Sequence, residues 1–150
     1  MNILERLATI EDIRSLQSRY VRLADSKDWH ALAALFLPQG SFTAHDVAGQ
    51  PQIAMTGPAA IAEGVAAGVG AGIVIHHLFS YEIDIRSPEL AHGIWAMEDW
   101  IDRSSDFDDG AAPFRTMRGY GHYHVEYRKI GLEWRIAGLK LTRTRLDFTY

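Results

Sequence analysis

From Gly72 to the C-terminus, apolar residues recur at every second position in four runs much longer than an ordinary strand. Ile73 to Ile85, Ala91 to Asp102, Phe114 to Lys129 and Trp134 to Leu146 each read as a strand. Ile130-Gly131-Leu132 reads as a tight hairpin, and Ser104 to Ala112, with Asp106, Asp108, Asp109 and Gly110, as a solvated loop. Strands that follow one another through short turns form an antiparallel meander. A meander of such long strands curls, and its concave side needs something to cover it.

The first seventy residues supply the cover. Ile10, Ile13, Leu16, Tyr20 and Leu23 fall at three- and four-residue intervals and predict a helix over 9–25, with Thr9 and Asp12 as its capping pair. A second short helix is expected from Asp28 to Phe36, burying Trp29, Leu32, Leu35 and Phe36 and stopped by Pro38-Gln39-Gly40. Ser41 to His45 reads as a short strand and 46–57 as a loop. Gly57-Pro58 opens an Ala-rich helix whose far half is weakened by the glycines between Gly64 and Gly72. Helices followed by a long antiparallel sheet make an α+β fold, and the length fits a single domain over residues 1–150.

The bulk properties exclude several functions. The chain has no Cys, so thiolate chemistry and disulfides are closed to it. A net charge of −4 with scattered Lys and Arg argues against nucleic acid as a partner. No apolar run reaches the roughly 18 residues of a membrane span. The opening Met1-Asn2-Ile3-Leu4-Glu5-Arg6 lacks the pattern of a signal peptide, so a cytoplasmic location is expected. Neither a phosphate-binding loop nor a serine nucleophile elbow is present.

The chemistry-bearing candidates are few. Asp25 ends the first helix, where a negative charge is unfavourable. It reads either as an exposed end or cap, or as a group held there by a partner. His76 and His77 open the first long strand and point to opposite faces, His76 among Ile73, Val74, Ile75 and Leu78. His122 and His124 share a face at i, i+2 without a third metal ligand at a recognisable spacing, so no metal site is expected. Gly119, Gly121 and Tyr123 occupy the opposite face, which places Tyr123 inside and the two histidines outside. Trp95, Met97 and Asp99 share one face, where Asp99 requires a partner.

These residues, in this order, resemble the NTF2-like superfamily, in particular its SnoaL-like (polyketide cyclase-like) branch. The resemblance spans nearly the whole chain. It rests on the opening helix from Ile13 to Asp25, on Asp28-Trp29-His30-Ala31-Leu32-Ala33-Ala34-Leu35-Phe36 and on Gly57-Pro58-Ala59-Ala60-Ile61. It continues through Ile75-His76-His77-Leu78-Phe79-Ser80 and closes with Tyr127 and Glu133-Trp134-Arg135-Ile136. It implies a cone: a strongly curved antiparallel sheet wrapped around N-terminal helices. Within the superfamily the chain is most similar to the group containing scytalone dehydratase, hexachlorocyclohexane dehydrochlorinase and bile acid 7α-dehydratase. That group pairs an Asp at the end of the first helix with a His at the start of the first long strand, positions matched by Asp25 and His76. Tyr20 matches a Tyr one turn before the Asp. The resemblance further implies that Trp95, Met97, Asp99 and Tyr123 line the cone. The arginine that some members carry on the last strand falls on Leu139, while Arg143 and Arg145 share its face further along.

The expected activity is a cofactor-independent dehydratase or isomerase reaction on a hydrophobic, cyclic small molecule. Asp25 and His76 would form the general base, with Tyr20 as hydrogen-bond donor. The alternative is a non-catalytic small-molecule-binding or assembly module, including a partner resembling the β subunit of a ring-hydroxylating dioxygenase. A homo-oligomer, dimer or trimer, is expected to form through the outer sheet face, with no nucleic-acid or membrane partner.

Overall fold

The computed structural model describes residues 1–150. Helix α1 spans Ile3–Asp25, α2 Trp29–Ala33, α3 Pro58–Val69 and the short α4 Ser104–Phe107. The strands are β1 Phe36–His45, β2 Pro51–Thr56, β3 Ile73–Ser87, β4 Leu90–Asp102, β5 Thr116–Ile130 and β6 Glu133–Thr149. They form one six-stranded sheet in the order β2-β1-β6-β5-β4-β3. The fold is the α+β, NTF2-like one, with a curved, unclosed sheet around the N-terminal helices.

The four long strands lie where the period-two pattern puts them. The sheet, however, is mixed rather than wholly antiparallel, because β1 runs parallel to β6. The two meet only after α3 and the whole β3–β5 meander, so no short turn dictates their relative direction. Two further elements depart from the sequence reading. Residues 51–56, expected as loop, pair with β1 as a hairpin. Phe36, expected at a helix end, instead begins β1, which passes Pro38 and Gly40 through a register shift between Phe36 and Ser41. At that shift a Cβ on Gly40 would lie 2.9 Å from the Leu37 carbonyl oxygen.

Helix α1 starts earlier than its apolar stripe. Asn2 accepts from the Glu5 N–H and Glu5 accepts from the Asn2 N–H, a complete capping box, while Thr9 is a buried residue inside the helix. Ile13, Leu16, Tyr20 and Leu23 bury the expected stripe against the concave sheet face, where Trp95, Tyr123, Val125, Tyr127, Ile136 and Leu139 meet it. Each such aliphatic side chain contributes about 1.5–3 kcal/mol by leaving water. Truncating Leu16 to Ala would cost about 2–5 kcal/mol. Inside this core Trp95 Nε1 donates to the Tyr127 hydroxyl (2.8 Å), which donates to Gln17 Oε1 (2.6 Å). That chain ties α1 to β4 and β5, and each buried oxygen in it accepts a hydrogen bond.

The glycines of β4 and β5 let the sheet bend. A Cβ at Gly93 would crowd the Trp95 and Tyr127 rings, and one at Gly121 would run into the Thr142 carbonyl. No helix is long and apolar enough to cross a membrane.

Candidate active site

Asp25 owes its position to the way α1 ends. The Lys27 N–H donates to the Ala24 carbonyl (3.0 Å) and the Asp28 N–H to that of Leu23 (2.9 Å), the two bonds of a Schellman motif. Lys27 takes the left-handed conformation that such an end requires, with φ of 58°. The chain then turns so sharply that Asp28, not Asp25, caps α2 through the Ala31 N–H (3.2 Å). Asp25 is left free to face β3.

His76 sits on β3, the edge strand of the sheet. Its backbone N–H donates to Asp25 Oδ1 (3.0 Å) and Oδ2 (3.2 Å), and its Nδ1 lies 2.7 Å from Oδ1. The helix end thus supplies the acceptor that a seventh strand would have offered, and the same carboxylate fixes the imidazole. The His76 side chain is only 11% exposed and that of Asp25 32%. With Nδ1–H donated to Asp25, the neutral ring carries its lone pair on Nε2.

His76 lines a cavity of about 130 Å³ between the sheet, α1 and α3. Its walls are mainly apolar, with Phe42, Met55, Val65, Val69, Val74 and Leu141 among them. The polar or titratable residues on the wall are His76, Tyr20, Tyr123, Asp99 and Arg143. A wider groove of about 550 Å³ crosses the outer sheet face past His92, His124 and Lys140 and shares no residue with this cavity.

Tyr20 and Tyr123 meet edge to face, with ring centroids 5.8 Å apart. Burial pushes the Tyr20 phenol well above its ordinary value, and the charge of Asp99 pushes it further. Burial does the same to Tyr123, followed by the proximity of Tyr20 and Asp99. Both phenols therefore keep their protons across the physiological range and can act as donors.

Asp99 finds its partner on the last strand. Arg143 Nη1 donates to Oδ1 at 2.6 Å and Nη2 to Oδ2 at 2.9 Å, a bidentate pair with side chains 9% and 6% exposed. Burial works against the Arg143 charge, but the hydrogen bonds and charge of Asp99 outweigh it and raise the guanidinium's pKa. Gly119 makes the room: a Cβ there would collide with both Arg143 Nη1 and Asp99 Oδ1.

Not every expected wall residue reaches the cavity. Asp99 and Tyr123 do. Trp95 is buried in the core behind it, held by Tyr127, and Met97 lies beneath Arg143, with its sulfur 4.0 Å from Nη1. Arg145 corrects the expectation that it shares a face with Arg143. Gly121 pairs with Arg143 and Tyr120 with Arg145, so Thr144 is an extra residue that reverses the alternation. Arg145 points outward to Asp147 at 2.8 Å. Leu139 is core. His122 and His124 lie on the outer face, their rings 6.3 Å apart, and His124 Nε2 is 3.1 Å from Thr142 Oγ1. No cluster of three metal-ligating side chains includes them.

Comparison with known proteins finds the same fold elsewhere. A family profile described as the SnoaL-like domain matches residues 5–140. No curated protein sequence matches the chain. Among solved structures, a Novosphingobium aromaticivorans DSM 12444 protein provisionally assigned as a scytalone dehydratase superposes with a TM-score of 0.80 at 19% identity, over 97% of this chain and 91% of that one. The hexachlorocyclohexane dehydrochlorinase LinA-type3 of Novosphingobium barchaimii LL02 gives 0.77 at 17% identity, over 98% and 94%. The β subunit of a protein of Novosphingobium aromaticivorans DSM 12444, provisionally assigned as an aromatic-ring-hydroxylating dioxygenase, gives 0.73 at 14% identity, over 94% of each chain. At these identities the likeness is one of fold. With a profile match over nearly its whole length and the helix-lined, curved sheet described above, the chain belongs to the SnoaL-like domain family of the NTF2-like fold.

Proposed function

We propose that this protein is a cofactor-independent lyase or isomerase acting on a hydrophobic cyclic molecule, with His76 as its general base. The observation that carries the reading is the 2.7 Å contact between Asp25 Oδ1 and His76 Nδ1 on the wall of a mainly apolar cavity. In this reading Nε2 takes a proton from a carbon of the bound ring. Asp25 stabilises the imidazolium that results and fixes its orientation, as the carboxylate of a triad does. Tyr20 donates to a carbonyl or to the departing hydroxyl, where negative charge develops. Elimination then returns the proton from His76 to the leaving group, whereas isomerisation returns it to another carbon. The scytalone dehydratase and dehydrochlorinase names of the similar structures support the reaction class.

The test starts by screening cyclic alcohols and ketones for stabilisation of the fold, since a ligand that binds only the native state raises its unfolding temperature. The ligands found are then incubated with enzyme and followed by NMR for loss of water or exchange of the ring protons. His76→Ala is expected to remain folded, bind the same ligands and lose turnover. Full turnover in that variant refutes the proposal.

A further inference from the structure

The buried Asp99–Arg143 pair decides what charge the cavity tolerates. An unpaired guanidinium on that wall would make the site a receptor for carboxylates, which arginine binds through two parallel hydrogen bonds. Asp99 already occupies both amino groups of Arg143, at 2.6 and 2.9 Å. An incoming carboxylate would have to displace Asp99, whose own negative charge lies on the same wall. Like charges brought together in a desolvated site repel strongly. The polar groups left for a guest are His76 and the phenols of Tyr20 and Tyr123, which remain protonated. The space of about 130 Å³ is close to that of an apolar cavity that admits benzene, roughly 150 Å³.

We propose that Asp99, by masking Arg143, the one guanidinium on the cavity wall, is the specificity determinant that turns carboxylates away, so that the small cavity takes an uncharged guest, a single six-membered ring bearing a hydroxyl or carbonyl. The proposal rests on the cavity being the substrate site.

Binding of benzyl alcohol, benzoate and 1-naphthalenemethanol, measured by calorimetry and thermal stabilisation at neutral pH, tests it. Benzyl alcohol is expected to bind at millimolar concentration, and benzoate at least about tenfold more weakly. Asp99→Asn, which frees Arg143, is expected to reverse that preference. The apolar replacement Asp99→Leu/Arg143→Met is expected to keep benzyl alcohol and still refuse benzoate. Should Asp99→Asn fail to fold alone, benzoate is expected to restore its folded state. The proposal is overturned by equal binding of benzoate and benzyl alcohol to the unaltered protein, by no benzyl alcohol binding, or by tighter binding of the two-ring alcohol. It is also overturned if Asp99→Asn gains nothing from benzoate, or if the apolar double variant accepts it. These readouts need no turnover. An active His76→Ala variant would sink the general-base reading, while equal benzoate binding would sink only the charge filter.

Discussion

Asp99 stands directly opposite His76 in the β3–β4 register. The imidazole therefore has two carboxylates near it with different roles. Asp25 bonds to its ring, while Asp99 is committed to Arg143 and lies on the same wall.

The Asp25 carboxylate has two tasks, and two substitutions separate them. Asp25→Asn keeps an oxygen for the His76 backbone N–H but can offer its amide NH₂ to Nδ1, which turns the ring to the wrong tautomer. Turnover is expected to fall about 10²–10⁴-fold with stability nearly unchanged. Asp25→Ala loses the backbone acceptor as well and is expected to cost a further 1–2 kcal/mol or so in urea unfolding. Equal stability losses in the two variants would mean that the backbone bonds contribute nothing.

Lys27 holds a conformation that suits glycine. Left-handed geometry costs a residue with a Cβ roughly 1–2 kcal/mol. Lys27→Gly removes that cost but loosens the unfolded chain, so the expected net gain is about 0.5–1 kcal/mol. Chemical denaturation measures it, and a destabilised variant would show that the Lys27 side chain itself supports the turn.

Some of this was legible in the residues and some was not, for identifiable reasons. The α1 stripe and the four long strands follow from local periodicity, which packing against one curved face reinforces. The requirement that buried Asp99 find a partner also follows locally, but the identity of the partner does not. Arg143 lies 44 positions away, and the extra residue Thr144 decides which of the two arginines faces inward. The Asp25–His76 contact joins positions 51 apart and came from family resemblance, not from spacing. The first residues of β1 are hidden because Pro38 and Gly40 look like a stop, and a register shift absorbs them, while its hairpin partner β2 is hidden because its residues are mostly exposed. The start of α1 is not legible because its capping box stands two turns before its buried stripe.

Gly119 is where the sheet and the cavity share one constraint. A methyl group there would push against both Arg143 and Asp99. Gly119→Ala is expected to cost about 2–4 kcal/mol, through overpacking and partial loss of a buried ion pair. The triple variant Gly119→Ala/Asp99→Leu/Arg143→Met, which leaves no unpaired carboxylate, is expected to recover most of that loss. Thermal unfolding of the set decides it, and no recovery would mean that the glycine serves the backbone and not the pair.

Asp106 gives the pH dependence a direction. From the sequence, Asp106 belongs to a solvated loop. In the structure it instead receives Arg103 Nη2 at 2.6 Å, while Arg103 also reaches the carbonyls of Ala67 and Ala111. The pair therefore ties the end of α3 to the segment after β4. The hydrogen bond from Arg103 holds the Asp106 carboxyl below its ordinary value of 3.8, against the opposing effect of desolvation. A depressed carboxylate binds fewer protons in the folded state than in the unfolded one, so stability rises with pH wherever the two differ. The contribution is complete above the unfolded value and is lost as the pH falls through the folded one. Urea unfolding midpoints measured from pH 5 down to pH 3 are therefore expected to fall more steeply for the unaltered protein than for Asp106→Asn, which cannot titrate. Parallel slopes would show that other carboxylates carry the acid sensitivity and that Asp106 contributes only its geometry.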